Sequence, residues 1–364
     1  MFAGIVSLEL GNHHSLILRQ DGSLWSTSIN LYGESQGGES LARISSKRFV
    51  QAIPSGTMAA AAGFRFSIAV KYDGSVGAMG ANYQGQQGDG TKTRKRTFQF
   101  TNMIPGAKNV AAGGYHSMVV TNQGRVWATG ANKYGQLGDG SVSYRSKFFV
   151  TISCEAKAIA AGDSHSIVSK QDGSVWATGR NYNGQLGDGS KTDRSSFVKV
   201  MSSGAVDVAA GGYHSIIIKE DGSVWVTGSN EYGQLGDGSA TDRIDYVQVV
   251  SGAANAVAAG RRHSMMLKQD GSVWAAGYNK YGQLGDECTA DSHVFVQVIF
   301  GGAKAVAAGD FHSMVLKRDS SIWATGSNQY GQFGSQWITS ETTFVRLAPF
   351  DNGVQNDQVY SDLF

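Results

Sequence analysis

Short apolar runs and polar turns alternate along the chain, and the alternation itself repeats. Residues 207–250 show one full cycle. Val208-Ala209-Ala210 leads into a turn, Gly211-Gly212-Tyr213. His214 then opens Ser215-Ile216-Ile217-Ile218, Asp221-Gly222 interrupts, and Val224-Trp225-Val226 resumes. A glycine-rich loop precedes the last run, Tyr246-Val247-Gln248-Val249-Val250. Runs this short, bounded by Gly and Asp, read as strands. The cycle predicts four antiparallel strands: A at 207–210, B at 214–220, C at 223–227 and D at 246–250. Three consecutive apolar residues in C imply burial on both faces, as in a sheet packed between two others.

Histidine returns at His116, His165, His214, His263 and His312, each step 49 residues. Tryptophan returns with the same step at Trp127, Trp176, Trp225, Trp274 and Trp323. Two looser copies come first, marked by His14 with Trp25 and by Phe66 with Gly77. The seven units run from about 5–56, 57–106, 107–155, 156–204, 205–253 and 254–302 to 303–348, with a polar tail at 349–364. A fixed period overrides the several domains that 364 residues would suggest. The predicted fold is all-β: one seven-bladed β-propeller over 1–348, with four antiparallel strands per blade. Strand A is the least bulky and belongs where blades converge on a channel, with D outermost.

Within the unit, Asp221-Gly222 reads as a two-residue hairpin with positive φ at both positions. It recurs at Asp21-Gly22, Asp73-Gly74, Asp172-Gly173 and Asp270-Gly271; Asn122-Gln123-Gly124 and Asp319-Ser320 depart from it. The C–D loop is long, about 17 residues. It holds Asn-x-Tyr-Gly-Gln-Leu-Gly-Asp-Gly. Leu137, Leu186, Leu235 and Leu284 are expected to plug each loop onto its own blade. An arginine follows the Asp by six residues at Arg145, Arg194 and Arg243, which predicts loop-pinning ion pairs such as Asp188–Arg194. Unit one degrades the loop to Tyr32-Gly33-Glu34-Ser35-Gln36, and irregular end units are usual in arrays.

Gly-x-x-His-Ser, Asp-Gly-x-Val-Trp-x-x-Gly and Tyr-Gly-Gln-Leu-Gly-Asp, recurring at one spacing over about residues 1–348, resemble the regulator of chromosome condensation repeat family. WD-type and kelch repeats match less well. Ala or Val, not Asp, follows each Trp here, and kelch repeats lack Gln-Leu-Gly-Asp. The resemblance implies a seven-bladed propeller, in agreement with the seven units. It also implies a choice of roles. The founding member is a guanine-nucleotide exchange factor for the GTPase Ran and binds chromatin. Others are interaction modules in ubiquitin ligases and trafficking proteins, and similar propellers serve a plant UV-B photoreceptor and a bacterial β-lactamase inhibitor. The photoreceptor's Trp positions are occupied by other residues here, so light sensing is not expected. The exchange factor carries a basic N-terminal tail and an inserted β-wedge. This chain begins inside its first repeat, and units three to six show no insertion, which weighs against exchange activity.

Charge and cysteine content narrow the setting. A formal net charge of +2 does not point to a broad nucleic-acid surface. Lys92, Arg94, Lys95 and Arg96 cluster in 91–97; a solvated loop is the plainer reading, a nuclear-import or anionic-partner patch the functional one. Cys154 and Cys288 sit at different places in distant units, so no disulfide framework is expected. The first ten residues lack a basic n-region, and no apolar run reaches membrane-spanning length. The expectation is a cytoplasmic or nuclear monomer with no membrane contact and no cofactor.

Candidate chemistry is sparse. His beside Ser in each unit suggests a base and a nucleophile, but neighbours on a strand point to opposite faces. The histidines are expected to bond backbone carbonyls near the blade top, as architecture. Metal binding is not expected, because equivalent residues of separate blades do not converge to metal–ligand distance. The tryptophans read as one core wedge per blade, and Asp-Gly as turns rather than calcium loops. Topology puts the A–B turns and C–D loops at one end, where function tends to sit. There the two residues before the histidine vary: Asn12-His13, Phe64-Arg65, Gly114-Tyr115, Asp163-Ser164, Gly212-Tyr213, Arg261-Arg262 and Asp310-Phe311. Candidate partner contacts are Phe64, Arg65, Tyr115, Asp163, Tyr213, Arg261, Arg262, Asp310 and Phe311. The Arg261-Arg262 pair favours an acidic partner surface. The reading is a non-enzymatic protein-interaction scaffold. Its alternatives are an exchange factor for a Ran-like small GTPase and, further off, a secreted enzyme inhibitor.

Overall fold

The computed structural model describes residues 4–28, 46–335 and 338–347. All its regular elements are strands, in seven four-stranded sheets of order A-B-C-D, every pairing antiparallel. The blades span 5–53, 57–101, 107–152, 156–201, 205–250, 254–299 and 303–346. Blade seven packs on blade one: Met314, Leu316 and Phe333 share a cluster with Ile5, Leu8 and Ile17. The ring therefore closes with each blade built from one continuous segment, a seven-bladed β-propeller. The unit-one loop at 32–36 and the tail at 349–364 lie outside the described residues.

In blade five the strands are Ala205–Ala210, His214–Lys219, Val224–Gly228 and Arg243–Val250. Strand A begins two residues early because a bulge between Ala205 and Asp207 lets its start pair with Lys219. Strand D begins at Arg243, whose carbonyl accepts the Thr227 hydroxyl at 2.9 Å.

The Asp-Gly turn differs from expectation. Gly222 alone has positive φ, 75°. Its N–H bonds the Lys219 carbonyl at 2.9 Å, and the Lys219 N–H reaches Ser223 at 3.0 Å. This is a three-residue loop with a left-handed glycine last. Asp221 serves through its carboxylate, which accepts the Ser223 N–H at 2.8 Å. The Ser223 hydroxyl and then its N–H favour the ionised form, so the exposed Asp221 carboxyl lies below its ordinary pKa.

The tryptophans do wedge between blades: Trp225 packs on Ile167 and Val175 of blade four together with Ile217 of its own. They are half-buried rather than core. Trp225 donates to Ser223 Oγ at 3.0 Å, and the Lys219 ammonium lies 4.2 Å from its ring centroid. Blade two has Gly77 in this place, and Phe100 of its D strand fills the space, under Lys71.

The histidines bond serine hydroxyls of the next blade, not backbone carbonyls. His116 meets Ser166 at 2.9 Å, His165 meets Ser215 at 3.0 Å, His214 meets Ser264 at 2.9 Å, and His263 meets Ser313 at 2.9 Å. His14 bonds Ser67 at 3.0 Å, and His312 closes the circle on Ser15 at 2.9 Å. Each of the serines 15, 166, 215, 264 and 313 donates its own proton to a glutamine carbonyl of the preceding C–D loop, as Ser264 does to Gln234 at 2.5 Å. Each must therefore accept from Nε2–H, which fixes a neutral histidine with a bare Nδ1. Among the described residues Nδ1 has no hydrogen-bond partner at any of the six. Burial accordingly pushes these imidazoles far down, His116 and His263 to about 4 and His14, His165, His214 and His312 to about 3.

Glycine three residues before each histidine is a matter of room. A Cβ on Gly211 would lie 2.4 Å from the Gly260 carbonyl of the next blade and 2.3 Å from the His214 ring.

Because the folded pKa of His214 lies below the unfolded 6.5, the unfolded chain takes the proton first as pH falls. The contribution of neutral His214 is intact above pH 6.5 and is lost progressively towards pH 3. Blade two shows that Phe66 can occupy the same place, fully buried. The stability gap between the wild type and His214→Phe should therefore shrink by about 2 kcal/mol from pH 7 to pH 5, read by urea denaturation. A gap independent of pH would mean that His214 is not held neutral.

Candidate partner-binding rim

In blades two to seven the C–D loop is organised by its asparagine. Buried Asn230 donates to Asp237 at 2.9 Å and to the Ser239 carbonyl at 2.9 Å, while its Oδ1 accepts the Leu235 N–H at 3.0 Å. The expected ion pairs form: Arg194 Nε to Asp188 at 2.7 Å, Arg145 to Asp139 at 2.5 Å, and Arg243 to Asp237 at 2.6 Å. The loop then crosses to the following blade. Asp188 bridges to Asp245, and Leu137 packs on Ala156 and Val168 of blade four. The leucine thus plugs the interface between blades, a correction to the own-blade expectation.

The crossing loops hold the A–B turns in place, and the two variable residues of each turn face different ways. Asn12, Phe64, Asp163, Arg261 and Asp310, with Gly114 and Gly212, line the channel mouth together with one alanine or leucine per strand A. The space there is about 80 Å³. The second residues, including Arg65, Tyr115, Tyr213, Arg262 and Phe311, stand on the rim above.

At the mouth, Arg261 spans three blades. Its guanidinium lies 3.4 Å from Asp163 and 3.6 Å from Asp310. Asn12 of blade one donates to Asp310, and the Tyr213 side chain hydrogen-bonds Asp163. Desolvation raises both carboxyls against the pull of Arg261, and the charge of Asp163 helps push Asp310 to about 7. Arg261 is thus neutralised inside the molecule. His13 is pushed down to about 4 by burial and by the charge of Arg65.

Arg262, the next residue, is placed differently. Its guanidinium stacks 4.8 Å from the Tyr232 ring centroid and donates to that phenol at 3.2 Å. From Tyr232 a file of rings continues through Tyr278 at 5.0 Å, Tyr281 at 6.3 Å and Phe311 at 5.2 Å. Arg180 lies between Tyr134 and Tyr213, 5.1 and 5.8 Å from their centroids. On the other side Phe64 packs on Tyr115 at 5.3 Å with Arg65 over it at 4.9 Å, and His13 packs on Tyr330 at 4.2 Å. Sequence reading missed Tyr134, Arg180, Tyr232, Tyr278, Tyr281 and Tyr330. The tyrosine of Asn-x-Tyr-Gly-Gln was visible as a repeat position, but its meeting with the neighbouring turn depends on the loop's crossing.

Two outcomes follow. Arg261→Gln leaves two half-buried carboxyls without their cation. It should cost roughly 2–3 kcal/mol at pH 8, and less at pH 6, below the value of about 7 at which Asp310 takes its proton; Arg262→Gln should cost under about 0.5 kcal/mol. Equal costs in denaturant titrations would refute the division of roles. Arg194→Ala should speed amide exchange in 188–194, and unchanged protection would show that the Asp188 pair does not pin the loop.

The RCC1-like domain profile matches residues 2–251 and again 99–359. No curated protein sequence matches the chain significantly. Among solved structures, human WBSCR16 superposes with a TM-score of 0.74 at 20% identity, covering 89% of this chain and 90% of its own. Prp20p from Saccharomyces cerevisiae gives 0.72 at 20% identity, over 84% and 80% of the two chains. Yeast RCC1 (Prp20) in complex with Kap60 gives 0.80 at 16% identity, over 95% and 85%. At these identities the structures share the fold, and the profile match supplies the family: the chain belongs to the RCC1-like domain family, as a seven-bladed β-propeller.

Proposed function

We propose that this chain is a non-enzymatic propeller that binds a protein partner through the rim carrying the A–B turns and C–D loops. One observation carries the reading. Arg180 and Arg262 are stacked on tyrosine rings, and neither has a carboxylate within ion-pair distance among the described residues. Stacking fixes the guanidinium without neutralising it, so little side-chain entropy is left to lose on docking. Tyr and Arg held this way are the usual anchors of protein interfaces. A carboxylate-bearing partner surface fits them. The channel mouth, at about 80 Å³, is far below the size of a small-molecule site, about 300 Å³ or more.

A second reading, nucleotide exchange on a small GTPase, draws on the family and on one relative. Prp20p was characterised by its binding to Gsp1p and histones. An exchange factor needs no bond-making residues of its own, only a surface that holds the nucleotide-free GTPase.

Affinity capture from native cells, followed by titration of the recovered protein, tests the first reading. Arg180→Gln with Arg262→Gln should weaken binding at least tenfold while leaving the melting temperature within about 3 °C. Undiminished affinity would remove the rim from consideration. Accelerated nucleotide release from a loaded GTPase would establish the second reading in place of the scaffold.

A further inference from the structure

We propose that copies of this chain associate edge to edge, the basic C–D loop of blade two docking on the acidic C–D loop of blade six of the next copy. Both loops break the repeat in ways the fold does not ask for. In blades four, five and six an aspartate ends the loop and accepts the N–H of the organising asparagine: Asp193 from Asn181 at 2.7 Å, Asp242 from Asn230 at 2.9 Å, Asp291 from Asn279 at 2.7 Å. Blade two has Arg94 at that position and forgoes the bond. Its pinning residue is Lys95, 3.7 Å from Asp89, where arginines make 2.5–2.7 Å contacts. Lys92, Arg94 and Arg96 are exposed. The loop lies against blade three through Asp89 and Lys147, whose exposed ammonium adds to the patch. Asp89, the one acid within the loop, is occupied by Lys95, Thr91 and Asn82.

Blade six departs in the opposite sense. Glu287 stands where blades two to five have Gly90, Gly140, Gly189 and Gly238, and it keeps the left-handed backbone, φ 71°. A side chain is strained there. Nothing repays it locally: the Glu287 N–H bonds the Thr342 carbonyl at 3.0 Å, a bond that glycine makes equally well in the other loops. Ser292 replaces the pinning arginine, so Asp286 has no cation partner among the described residues. Asp291 is exposed, and half-buried Glu341 opens the adjoining D strand. Lys280, at the inner end of the same loop, is the cation this patch must outweigh.

The two loops occupy the same repeat position, hence the same height on the ring. They lie three blade steps apart in one direction and four in the other, on nearly opposite edges. Sliding one disc past another, without turning it over, brings blade six of one copy to blade two of the next. Such a contact is heterologous and extends into open chains. A net charge of only +2 leaves little overall repulsion to oppose it. The contact uses charged residues of two C–D loops and needs neither Arg180 nor Arg262, so substitutions at those two arginines and at Arg94, Arg96 or Glu287 tell the two readings apart.

Sedimentation velocity of the full chain from about 1 to 300 µM, in about 20 mM and about 500 mM salt, tests the proposal. Larger species should grow with concentration at low salt and vanish at high salt. Arg94→Glu with Arg96→Glu, and separately Glu287→Lys, should each sediment as monomers, and mixing the two should restore association. Glu287→Gly, which installs the residue the backbone prefers, should weaken association while keeping or raising the melting temperature. A wild type that stays monomeric at low salt would overturn the idea. So would charge variants that associate like the wild type. Binding of a heparin probe to a wild type that does not self-associate would also overturn it, and would give the basic loop to a polyanion.

Discussion

One hydrogen-bond relay carries the ring: glutamine carbonyl, serine hydroxyl, histidine Nε2. Its parts come from two consecutive units. Gln185 of blade four's loop accepts from Ser215 of blade five, and Ser215 accepts from His165 of blade four, all fully or almost fully buried. A hydroxyl with one proton can serve two polar partners only in this order, so the relay is directional and fixes the histidine tautomer. Directionality around a circle permits closure only when the last blade meets the first with the same sense, as His312, Ser15 and Gln332 do. The glycine beside each histidine follows from the same demand. Without it the neighbouring backbone would be too far for the histidine to reach its serine.

The relay also explains why the long loops do not behave as loops. In blades three to six each leaves its blade, offers a glutamine carbonyl to the next serine, and adds a short bridge and a buried leucine at the boundary with the next blade. The asparagine hub and the Asp–Arg pair hold that excursion rigid. Rim residues are therefore mounted on both ends of a blade interface, which is how Tyr134 of blade three and Tyr213 of blade five come to share Arg180.

What could be read from residues alone divides along the same line. Contacts local in sequence were legible: the Asp188–Arg194 pair is six residues long, and the strands follow apolar runs of one unit. The hairpin was nearly so, but Asp-Gly hid a third turn residue, because Glu220 is as polar as a strand end. Contacts between units were not legible. The serine that receives His214 lies 50 positions on, and a periodic sequence offers the same serine in every unit without naming which one is met. Arg261 illustrates the harder case. Its partners Asp163 and Asp310 sit two units back and one unit ahead. Only the curvature of a closed ring turns those separations into a cluster.

Periodicity makes departures informative. Where every blade obeys one rule, the residue is explained by the relay and the packing, and nothing about a partner can be drawn from it. The channel mouth shows how much individuality the architecture absorbs. Asp163, Arg261 and Asp310 look like exposed recognition residues in isolation, yet together they neutralise one another across the ring, and burial raises both carboxyls against the pull of Arg261. Arg262 and Arg180 are different in kind, because an aromatic face positions each guanidinium with no carboxylate at ion-pair distance among the described residues. The distinction between a charge answered within the chain and a charge merely held in place separates ring-forming residues from partner-facing ones, and it depends on geometry that only the assembled circle provides.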